Sequence, residues 1–456
     1  MTRSQVGRRA FGGPIGAVGF AAVLVAGASW AQGTPAVPKQ LRLADAVKIA
    51  LAGSTQIGTQ DAQLDAARKA RSSALFALGP DLQLSAQKAK NTRTDFDAVT
   101  NPDGSKSNAT EKSDYVNGDI SASVRLFDGF ANLARLSAAK HDVHANEQSL
   151  AYTRKQVQES VVAAYYNLLR AKLLLKVAEE GESVAREQLQ RTQALYELGS
   201  AARSDVLKSQ VQHGNTRLVL VRARNSVRQT HVDLEFSMNL TSSNDFDIDT
   251  TITIGTSPQT VDYAAEREFA IGHRENLFAA RSHALASARR VQASRGALLP
   301  TLDFRYTASR TNSNSQFQFG ANKNWNRQWA LSANWNLWDR YQVYANIAQA
   351  RAAARGAEFS RRQAELDASR EVQQLVNAID ESQERLGVAR ENVERSREDL
   401  RLAQEKFRVG AGTILDTITA ESDLTLTRAS EVQAMGDYLI ARANLSRATG
   451  RDFTDL

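Results

Sequence analysis

The sequence lacks cysteine altogether and has little proline, and both shortages restrict its fold. With no cysteine, no disulfide stabilises the chain. Only seven prolines occur in 456 residues, and the stretches Gly129–Tyr196 and Arg340–Phe407 contain none. Because proline interrupts helices, each of these stretches can form one helix of roughly 100 Å. Helices of that length must lie alongside other helices.

Long apolar runs are confined to the N-terminus. A basic segment with Arg8 and Arg9 precedes an apolar stretch and small residues up to Ala31. This order predicts a secretory signal peptide over 1–31, with twin-arginine export as an alternative route. No cysteine stands at the predicted cleavage site to carry a lipid anchor. No later run reaches the roughly 18 apolar residues of a membrane-spanning helix, so membrane contact must use another element.

A large net charge is also missing. The formal charge is +7, part of it in the signal segment, which is too small to indicate a nucleic-acid partner. The sequence contains no zinc-protease helix, nucleophile elbow or phosphate loop. His141 and His144 have a spacing that can seat a metal, but a solvated helix face is the simpler interpretation. We predict no enzyme activity, no cofactor and no metal site.

The chain is a tandem duplication. The segment "SVRLFDGF" recurs 211 positions later as "NWNLWDRY", and "YELGSAARSDV" recurs at the same offset as "FRVGAGTILDT". Upstream the offset is 220, where Pro80 corresponds to Pro300. Each repeat is predicted to run helix, β-hairpin, long helix, tip turn and helix. The predicted parts are repeats 32–240 and 263–456, connector 241–262, hairpins 81–127 and 301–338, and tip turns 197–204 and 408–415.

Four segments alternate apolar and polar residues with a period of two, which predicts strands with one apolar face. A soluble sheet with one face on a core is the simpler interpretation. The predicted length of about ten residues, four tryptophans near the strands and the signal peptide favour membrane strands. Loops 91–114 and 311–326 would then lie outside the cell. The predicted lipid-facing residues are Val116, Ile120, Val124, Leu126, Trp329, Leu331, Trp335 and Leu337.

Four strands cannot close a barrel, and an open edge in lipid leaves backbone groups without hydrogen-bond partners. Several copies of the chain must therefore pool their strands. Two copies give eight strands with a filled interior, whereas three copies give twelve strands and room for a lumen. The polar face of the strands suits a water-filled lumen.

From "LRLADAVKIAL" to about Arg451 the chain resembles the TolC family of outer-membrane export ducts. The similarity rests on that opening, on "LFDGF" and "LWDRY" at the strand-to-helix junctions, and on the tips "LGSAARSDV" and "VGAGTILDT". It implies a mainly α fold with a small β part. Three copies would share a twelve-stranded β-barrel in the outer membrane of a Gram-negative bacterium and an α-barrel in the periplasm. The implied partners are a periplasmic adaptor and an inner-membrane pump.

The resemblance also assigns roles to the two tips, which would form the periplasmic mouth. Asp205 and Asp416 occupy positions where the family has acidic residues; helix capping alone is the other explanation. Phe407 and Gly412 take the positions of a tyrosine and an arginine that lock the mouth, so that lock should be absent or weaker. The residues predicted to permit the turns are Gly199, Gly410 and Gly412.

Three functions remain open at this point. A passive exit duct for type I protein secretion is slightly favoured, because the lipid-anchor cysteine of lipidated drug-efflux members is absent. Multidrug or small-molecule efflux is the alternative. A secreted structural coiled-coil trimer is more distant, since it needs no amphipathic strands.

Overall fold

A computed structural model describes residues 38–100, 102–240, 245–250, 261–312 and 325–451, all within the compact unit Val37–Leu456. The predicted signal peptide, 1–31, lies outside the described residues. The described helices follow each other in two equivalent series. They are α1 Leu43–Gly53, α2 Thr55–Phe76, α3 Ala131–Glu197, α4 Arg203–Ser237, α5 Tyr263–His273, α6 Glu275–Arg295, α7 Gln342–Arg408 and α8 Ile414–Thr449.

The described strands form two sheets. A short parallel pair joins the first strand to the fourth, and an antiparallel sheet has the order β2-β3-β5-β6. The strands are β1 Gln40–Leu41, β2 Asp81–Thr100, β3 Lys106–Phe127, β4 Asp247–Ile248, β5 Thr301–Asn312 and β6 Asn326–Asn334. The prediction of a mainly helical fold with a small β part is confirmed.

The long helices of the two repeats have the same length. Both α3 and α7 contain 67 residues, and they begin and end 211 positions apart. At about 1.5 Å per residue each extends for roughly 100 Å. The absence of proline from both stretches permits this length.

Both long helices start in the same way. The carboxylates of Asp128 and Asp339 accept hydrogen bonds from the backbone N–H groups four residues later, at 2.8 Å and 2.6 Å. Each aspartate is followed by two residues in the left-handed region, Gly129 and Phe130 in one repeat and Arg340 and Tyr341 in the other. The "DGF" and "DRY" segments are therefore the same turn, which redirects the chain from strand to helix.

The first helix of each repeat is interrupted once, a break that the helical periodicity does not indicate. Between α1 and α2 the hydroxyl of Ser54 accepts from the backbone N–H of Ile57 at 3.4 Å. Between α5 and α6 the residue at the break is Arg274, which is only 3% exposed and forms an ion pair with Glu371 at 2.6 Å. One break is thus stabilised by a local cap and the other by a contact distant in sequence.

The register of the larger sheet places the apolar residues of all four strands on one face. Ile120 on β3 pairs with Leu84 on β2 and with Ala308 on β5. Phe304 on β5 pairs with Leu331 on β6. Since paired residues share a face, the alternation seen in each strand adds up to one continuous apolar surface.

Three predicted strand boundaries were wrong. The predicted loop 91–114 is mostly strand, because β2 continues to Thr100 and β3 already begins at Lys106. Its polar residues suggested a loop, but ladder hydrogen bonds need no apolar side chains, and Asn91 still pairs with Ser113. In the second hairpin β6 ends at Asn334, before the predicted end at 338. The other predicted loop, 311–326, lies mostly outside the described residues.

Part of the predicted connector, 245–250, packs onto the first repeat. β4 pairs with β1, and Phe246 and Ile248 are buried in the largest apolar cluster. That cluster forms where α1, α3, α4 and α8 meet. Its main members are Leu41, Ala46, Ile49, Val157, Val161, Tyr165, Leu168, Leu169, Leu234, Met238, Phe246, Ile248 and Leu439.

Candidate functional site

The turn between α3 and α4, here called tip 1, is closed by a glycine. Gly199 has a φ of 74° and donates its backbone N–H to the carbonyl of Tyr196 at 2.9 Å. The N–H of Ser200 reaches back to the carbonyl of Leu195 at 2.8 Å. This pair of bonds is the Schellman arrangement, which satisfies carbonyl groups at a helix end and favours glycine.

The turn between α7 and α8, here called tip 2, repeats these bonds. Gly410 has a φ of 76° and donates to Phe407 at 3.1 Å, and Ala411 donates to Lys406 at 2.9 Å. The two tips have few identical residues but adopt the same backbone conformation. The two glycines therefore stand where a left-handed residue is required.

Gly412 is different, because it does not lie in the left-handed region. A Cβ atom on Gly412 would lie 3.0 Å from the Cβ of Lys406 and 3.2 Å from the backbone nitrogen of Phe407. The position therefore limits side-chain size rather than backbone angle. Its counterpart in tip 1 is Ala201. Any side chain at 412, beginning with its Cβ atom, would therefore require the end of α7 to give by a few tenths of an ångström.

Phe407 contacts the first repeat of its own chain. The guanidinium of Arg191 on α3 lies 5.8 Å from the centre of the half-buried Phe407 ring. A cation–π contact of this kind needs no hydroxyl group. Phe407 thus contributes a cation–π contact between α3 and α7. The sequence comparison considered only its inability to form hydrogen bonds and did not predict this contact.

Asp416 caps the helix that follows tip 2. Its carboxylate accepts from the backbone N–H and from the hydroxyl of Thr413, both at 2.8 Å, while the Thr413 hydroxyl accepts from the Asp416 N–H at 3.2 Å. This reciprocal pair is a capping box. The hydrogen bond from the Thr413 backbone, followed by that from its hydroxyl, holds the pKa of Asp416 below its ordinary value.

Asp205, the equivalent acid after tip 1, has no such partner at the N-cap. The residue there is Ala202, whose side chain accepts no hydrogen bond. The carboxylate of Asp205 lies 3.9 Å from the amine of Lys208 and is partly exposed. The two aspartates that the sequence places at equivalent positions therefore differ: one carboxylate is engaged by a cap, and the other is not.

Glu421 is a buried acid that the sequence analysis missed. It lies on α8, two turns after tip 2, and burial raises its pKa to about 7. It lines a cavity of about 60 Å³ together with Glu180 and Arg428, which pair with each other at 2.8 Å. Its counterpart in the first repeat is the exposed Gln210. In the sequence, only its helical spacing from Thr417 and Leu424, which are also buried on α8, indicates burial.

A partly buried ion cluster joins the two repeats where α5 meets α6. Arg447 on α8 pairs with Glu159 on α3 at 2.5 Å, and Glu371 on α7 binds both Arg447 and Arg274. Burial acts to raise the pKa of Glu371, but the hydrogen bond from Arg447 and the charge of Arg274 outweigh it, so the pKa is lowered. Removing Glu371 would deprive the buried Arg274 of its carboxylate partner, whereas Arg447 would keep Glu159.

The predicted lipid-facing residues are mostly exposed. The exposed fraction of Trp329 is 74%, and Ile120, Leu126 and Leu331 are also exposed, whereas Val124 is half-buried and Val116 is only 7% exposed. Leu126 falls at a register shift in β3. Trp335 and Leu337 are exposed but follow β6 instead of lying in it, and the Trp335 indole N–H donates to the carbonyl of Leu298 at 3.2 Å.

Among the helices that the structure describes, none combines the length and apolarity needed to cross a membrane.

Paired long helices that end in glycine-closed tips, joined to an antiparallel sheet with one exposed apolar face, define an outer-membrane channel fold. The chain belongs to the outer membrane efflux protein family, because residues 46–240 and 268–451 match the sequence pattern of that family. It is thus an outer-membrane efflux channel that extends into the periplasm, and family members are non-enzymatic transport proteins. The predicted family resemblance and location are confirmed.

Individual relatives agree with this assignment. The chain is 24% identical over 345 residues to the outer membrane efflux protein BepC of Brucella suis biovar 1 (strain 1330), covering 74% of this chain and 72% of that protein. The outer-membrane channel OprN has a TM-score of 0.78 at 20% identity, with 90% of each chain covered. The outer membrane protein VceC of Vibrio cholerae has a TM-score of 0.75 at 18% identity, covering 90% of this chain and 96% of that one. The similarity to the two solved structures concerns the fold alone.

Proposed function

We propose that the chain forms a homotrimeric exit duct for small molecules, working with a periplasmic adaptor and an inner-membrane pump. Membership of the efflux family supports export of small molecules over type I protein secretion, the function slightly favoured from the sequence. A secreted structural trimer is no longer needed to explain the long helices.

One observation carries the proposal: equivalent helices and strands of the two repeats have different numbers of neighbours within the chain. Helix α6 packs between α3 and α7, whereas its counterpart α2 packs mainly on α3. In the sheet, β3 pairs with β5, whereas β2 and β6 are edge strands. A second copy of the chain can supply both missing neighbours, α2 for α7 and β2 for β6.

The internal junction predicts the register between copies. Within the chain Ala122 on β3 pairs with Tyr306 on β5. The equivalent of Ala122 in the second repeat is Ala333 on β6, 211 positions later. The equivalent of Tyr306 in the first repeat is Ala86 on β2, 220 positions earlier. Ala333 is therefore predicted to pair with Ala86 of the next copy. If this junction is repeated around an axis, the backbone groups of every edge strand gain hydrogen-bond partners, as a lipid environment requires.

Three copies would give twelve strands and a lumen. The face opposite the apolar one carries rows of polar residues, such as Gln83, Ser121 and Thr307, which are consecutive register partners. Further along the same face, beyond Ser123 and Arg305, Arg125 pairs with Asp303 across β3 and β5 at 2.9 Å. A polar and charge-paired lining of this kind suits a water-filled passage.

The tips are the proposed periplasmic mouth. One chain supplies tip 1 and tip 2 at the ends of helices of equal length, so a trimer brings six tips together. No energy source is visible in such a duct, and the pump is proposed to provide it. The adaptor would contact the outer surface of the helices near the tips.

The test compares a host strain that lacks this chain with its parent and with a complemented strain. Greater sensitivity to dyes and detergents, restored by the intact chain and with an unchanged set of proteins in the spent medium, is the expected result. Unchanged sensitivity together with loss of one large protein from the medium would reject small-molecule efflux in favour of type I secretion. The missing lipid-anchor cysteine is the observation that keeps this second function in the test.

A further inference from the structure

A groove between α6 and α7 contains three exposed arginines. Arg295 is the last residue of α6, and Arg351 and Arg355 lie in the first turns of α7. The groove has a volume of about 690 Å³ and lies near the larger sheet, where α6 ends and α7 begins. The charge of its lining is entirely positive. The other residues that line it are uncharged, namely Ala288, Val291, Gln292, Ala348 and Ala354.

No acid compensates these three charges. Within the described part of the chain, none of the three guanidinium groups forms an ion pair or a hydrogen bond. Helix α6 has no acid after Glu275, and α7 has none before Glu358, which pairs with Arg361 at 2.8 Å. Arg351 and Arg355 are one helical turn apart, so their Cβ atoms are separated by about 5–6 Å and their charges repel each other. An anion in the groove would remove this repulsion.

The groove lies on the outer side of these two helices. Their other side lines a second cavity, which also contains Arg125 from the polar face of the sheet. Helix α7 contributes Val343 and Asn346 to that cavity, but Arg351 and Arg355 to the groove. At about 100° per residue, the mean directions of these two pairs differ by roughly 130°. The second cavity is thus on the lumen side of the proposed duct, and the groove is on the side of the apolar face.

A second copy of the chain would leave the groove open. The counterparts of Arg351 and Arg355 in the first repeat are Lys140 and His144 on α3. Both are exposed although α3 already has α2 and α6 as neighbours, because α3 contacts α6 through other positions such as Asp142. Lys140 is also a base, so a trimer would present basic side chains at this level in both repeats. A ligand that surrounds the channel explains this arrangement better than one bound at a single place.

Aromatic residues mark the level of the groove. Trp335 directly follows β6, is 60% exposed, and donates its indole N–H to the carbonyl of Leu298, three residues after Arg295. Tyr344, two helical turns before Arg351 and on the same side of α7, is 58% exposed. Exposed tryptophan and tyrosine are typical of the boundary between hydrocarbon and lipid headgroups. The arginines follow on the periplasmic side of this boundary, where headgroups lie.

The arginines of the two helices converge on the groove. In an α-helix the Cα–Cβ bonds tilt toward the N-terminus. Because α6 ends at the sheet and α7 begins there, Arg295 tilts away from the sheet, whereas Arg351 and Arg355 tilt toward it. Guanidinium groups bind phosphate through paired hydrogen bonds, and bases next to a membrane segment attract anionic headgroups.

We propose that Arg295, Arg351 and Arg355 bind the phosphate group of an anionic phospholipid in the periplasmic leaflet of the outer membrane. This rests on the proposed function only in requiring that the sheet lies in that membrane. The bound headgroup would neutralise the arginines and hold the periplasmic end of the sheet at the membrane surface.

The experiment uses the whole mature protein, purified in a non-ionic detergent. Its binding of phosphatidylglycerol is titrated in mixed micelles. Phosphatidylcholine with the same acyl chains is the comparison, because its choline group neutralises the phosphate charge. The wild-type protein should bind phosphatidylglycerol more tightly, and added salt should weaken this preference. The triple variant Arg295→Gln/Arg351→Gln/Arg355→Gln should lose at least about tenfold in affinity for phosphatidylglycerol, the loss expected when charge-assisted hydrogen bonds are removed.

The matched control is Arg135→Gln, which removes an exposed arginine of α3 that lines the cavity on the lumen side. It should bind phosphatidylglycerol like the wild type, and an equal loss in the control would overturn the proposal. Competition by glycerol phosphate as strong as that by the lipid would reject a lipid site in favour of a soluble anion. Retention of the wild type by isolated cell wall, lost in the triple variant and without any preference between the lipids, would assign the groove to an anionic cell-wall polymer instead.

Lipid binding is measured without transport, so its failure is distinguishable from a failure of the proposed efflux function. Conductance and native mass of the triple variant report separately on channel formation. If this variant does not assemble, equal wild-type affinity for the two lipids still overturns the proposal.

Discussion

Gly129 and Gly296 approach each other so closely that a Cβ atom on Gly129 would lie 2.4 Å from the carbonyl oxygen of Gly296. This contact joins the first strand-to-helix turn to the end of α6. The equivalent turn of the second repeat has Arg340 in place of Gly129, with a φ of 56° in the left-handed region. One turn therefore depends on glycine for space, and the other holds a larger residue in an unfavourable conformation.

Replacing Arg340 by glycine should stabilise the protein. A left-handed non-glycine residue costs roughly 1–2 kcal/mol, part of which is offset by the greater freedom of glycine in the unfolded chain. We expect the free energy of unfolding to rise by about 1 kcal/mol or slightly less, measured by denaturant unfolding. Gly129→Ala, the opposite change at the equivalent position, should be strongly destabilising. Destabilisation by Arg340→Gly would show that the arginine side chain makes a compensating contact.

Thr413→Ala should loosen tip 2, because it removes one half of the capping box. Loss of an N-cap costs about 1 kcal/mol, and hydrogen exchange at the start of α8 should become faster. Because Asp416 has a lowered pKa, its stabilising effect is present above the ordinary value of 3.8 and is lost as the pH falls through the lowered one. The variant should therefore show a weaker acid dependence.

The matched change in tip 1 is Ala202→Thr, which places a hydroxyl at the equivalent N-cap. It should slow exchange at the start of α4. No effect of either change on exchange would contradict a stabilising cap at the tips.

Glu421→Gln should change how stability depends on pH. The folded protein favours the protonated form of Glu421, whose pKa is about 7 against 4.5 for an unperturbed glutamate. The folded state thus holds an extra proton between these values, and stability falls as the pH rises from about 4.5 to about 7. The variant should be more stable than the wild type above pH 7, by about 1–2 kcal/mol, and similar at low pH. Parallel pH–stability curves would contradict burial of this carboxyl group.

The two aspartates near the tips should contribute unequally to ion selectivity in a planar bilayer. The carboxylate of Asp416 is engaged by Thr413 through two hydrogen bonds of 2.8 Å, whereas that of Asp205 has longer contacts, 3.5 Å to the hydroxyl of Ser204 and 3.9 Å to the amine of Lys208. We expect Asp205→Asn to reduce cation preference more than Asp416→Asn, since a ring of unengaged acids sets the local field. Equal selectivity in both variants and the wild type would reject an acidic ring.

A disulfide can test the register proposed between copies. The chain has no cysteine, so Ala333→Cys with Ala86→Cys introduces the only pair. Oxidation should link copies into dimers and trimers on a denaturing gel. Ser85→Cys in place of Ala86→Cys puts the thiol on the opposite face of β2 and should not link. Linking by the control and not by the test pair would place the register one residue away.

Much of this fold could be predicted from the internal repeat. The offset of 211 places the second long helix at Gln342–Arg408 once the first is known, and the absence of proline explains why both run unbroken. The glycines of the tips were also visible, because Gly199 and Gly410 stand at equivalent positions in otherwise different segments. Local chemistry of this kind is readable from the sequence, since a left-handed residue is most easily a glycine.

Other features depend on contacts distant along the chain. The break at Arg274 is stabilised by Glu371, nearly a hundred residues away, and nothing near Arg274 indicates it. Glu421 lies beside residues of α3, α4 and α7, which are distant from it along the chain. The difference between Asp205 and Asp416 depends on the residue at the N-cap, which is Ala202 before α4 and Thr413 before α8. Both residues can be read from the sequence, but the capping box at Thr413 is seen only in the hydrogen bonds of the structure.

The equal lengths of α3 and α7 have a consequence for how the chain can change over time. One residue added to an α-helix advances its far end by about 1.5 Å and rotates every later side chain by about 100°. An insertion in α3 alone would move tip 1 out of level with tip 2 and turn its apolar stripe away from α4. The two helices can therefore lengthen only in step, and whole turns or heptads added to both at once are the changes that keep tip 1 and tip 2 level with each other.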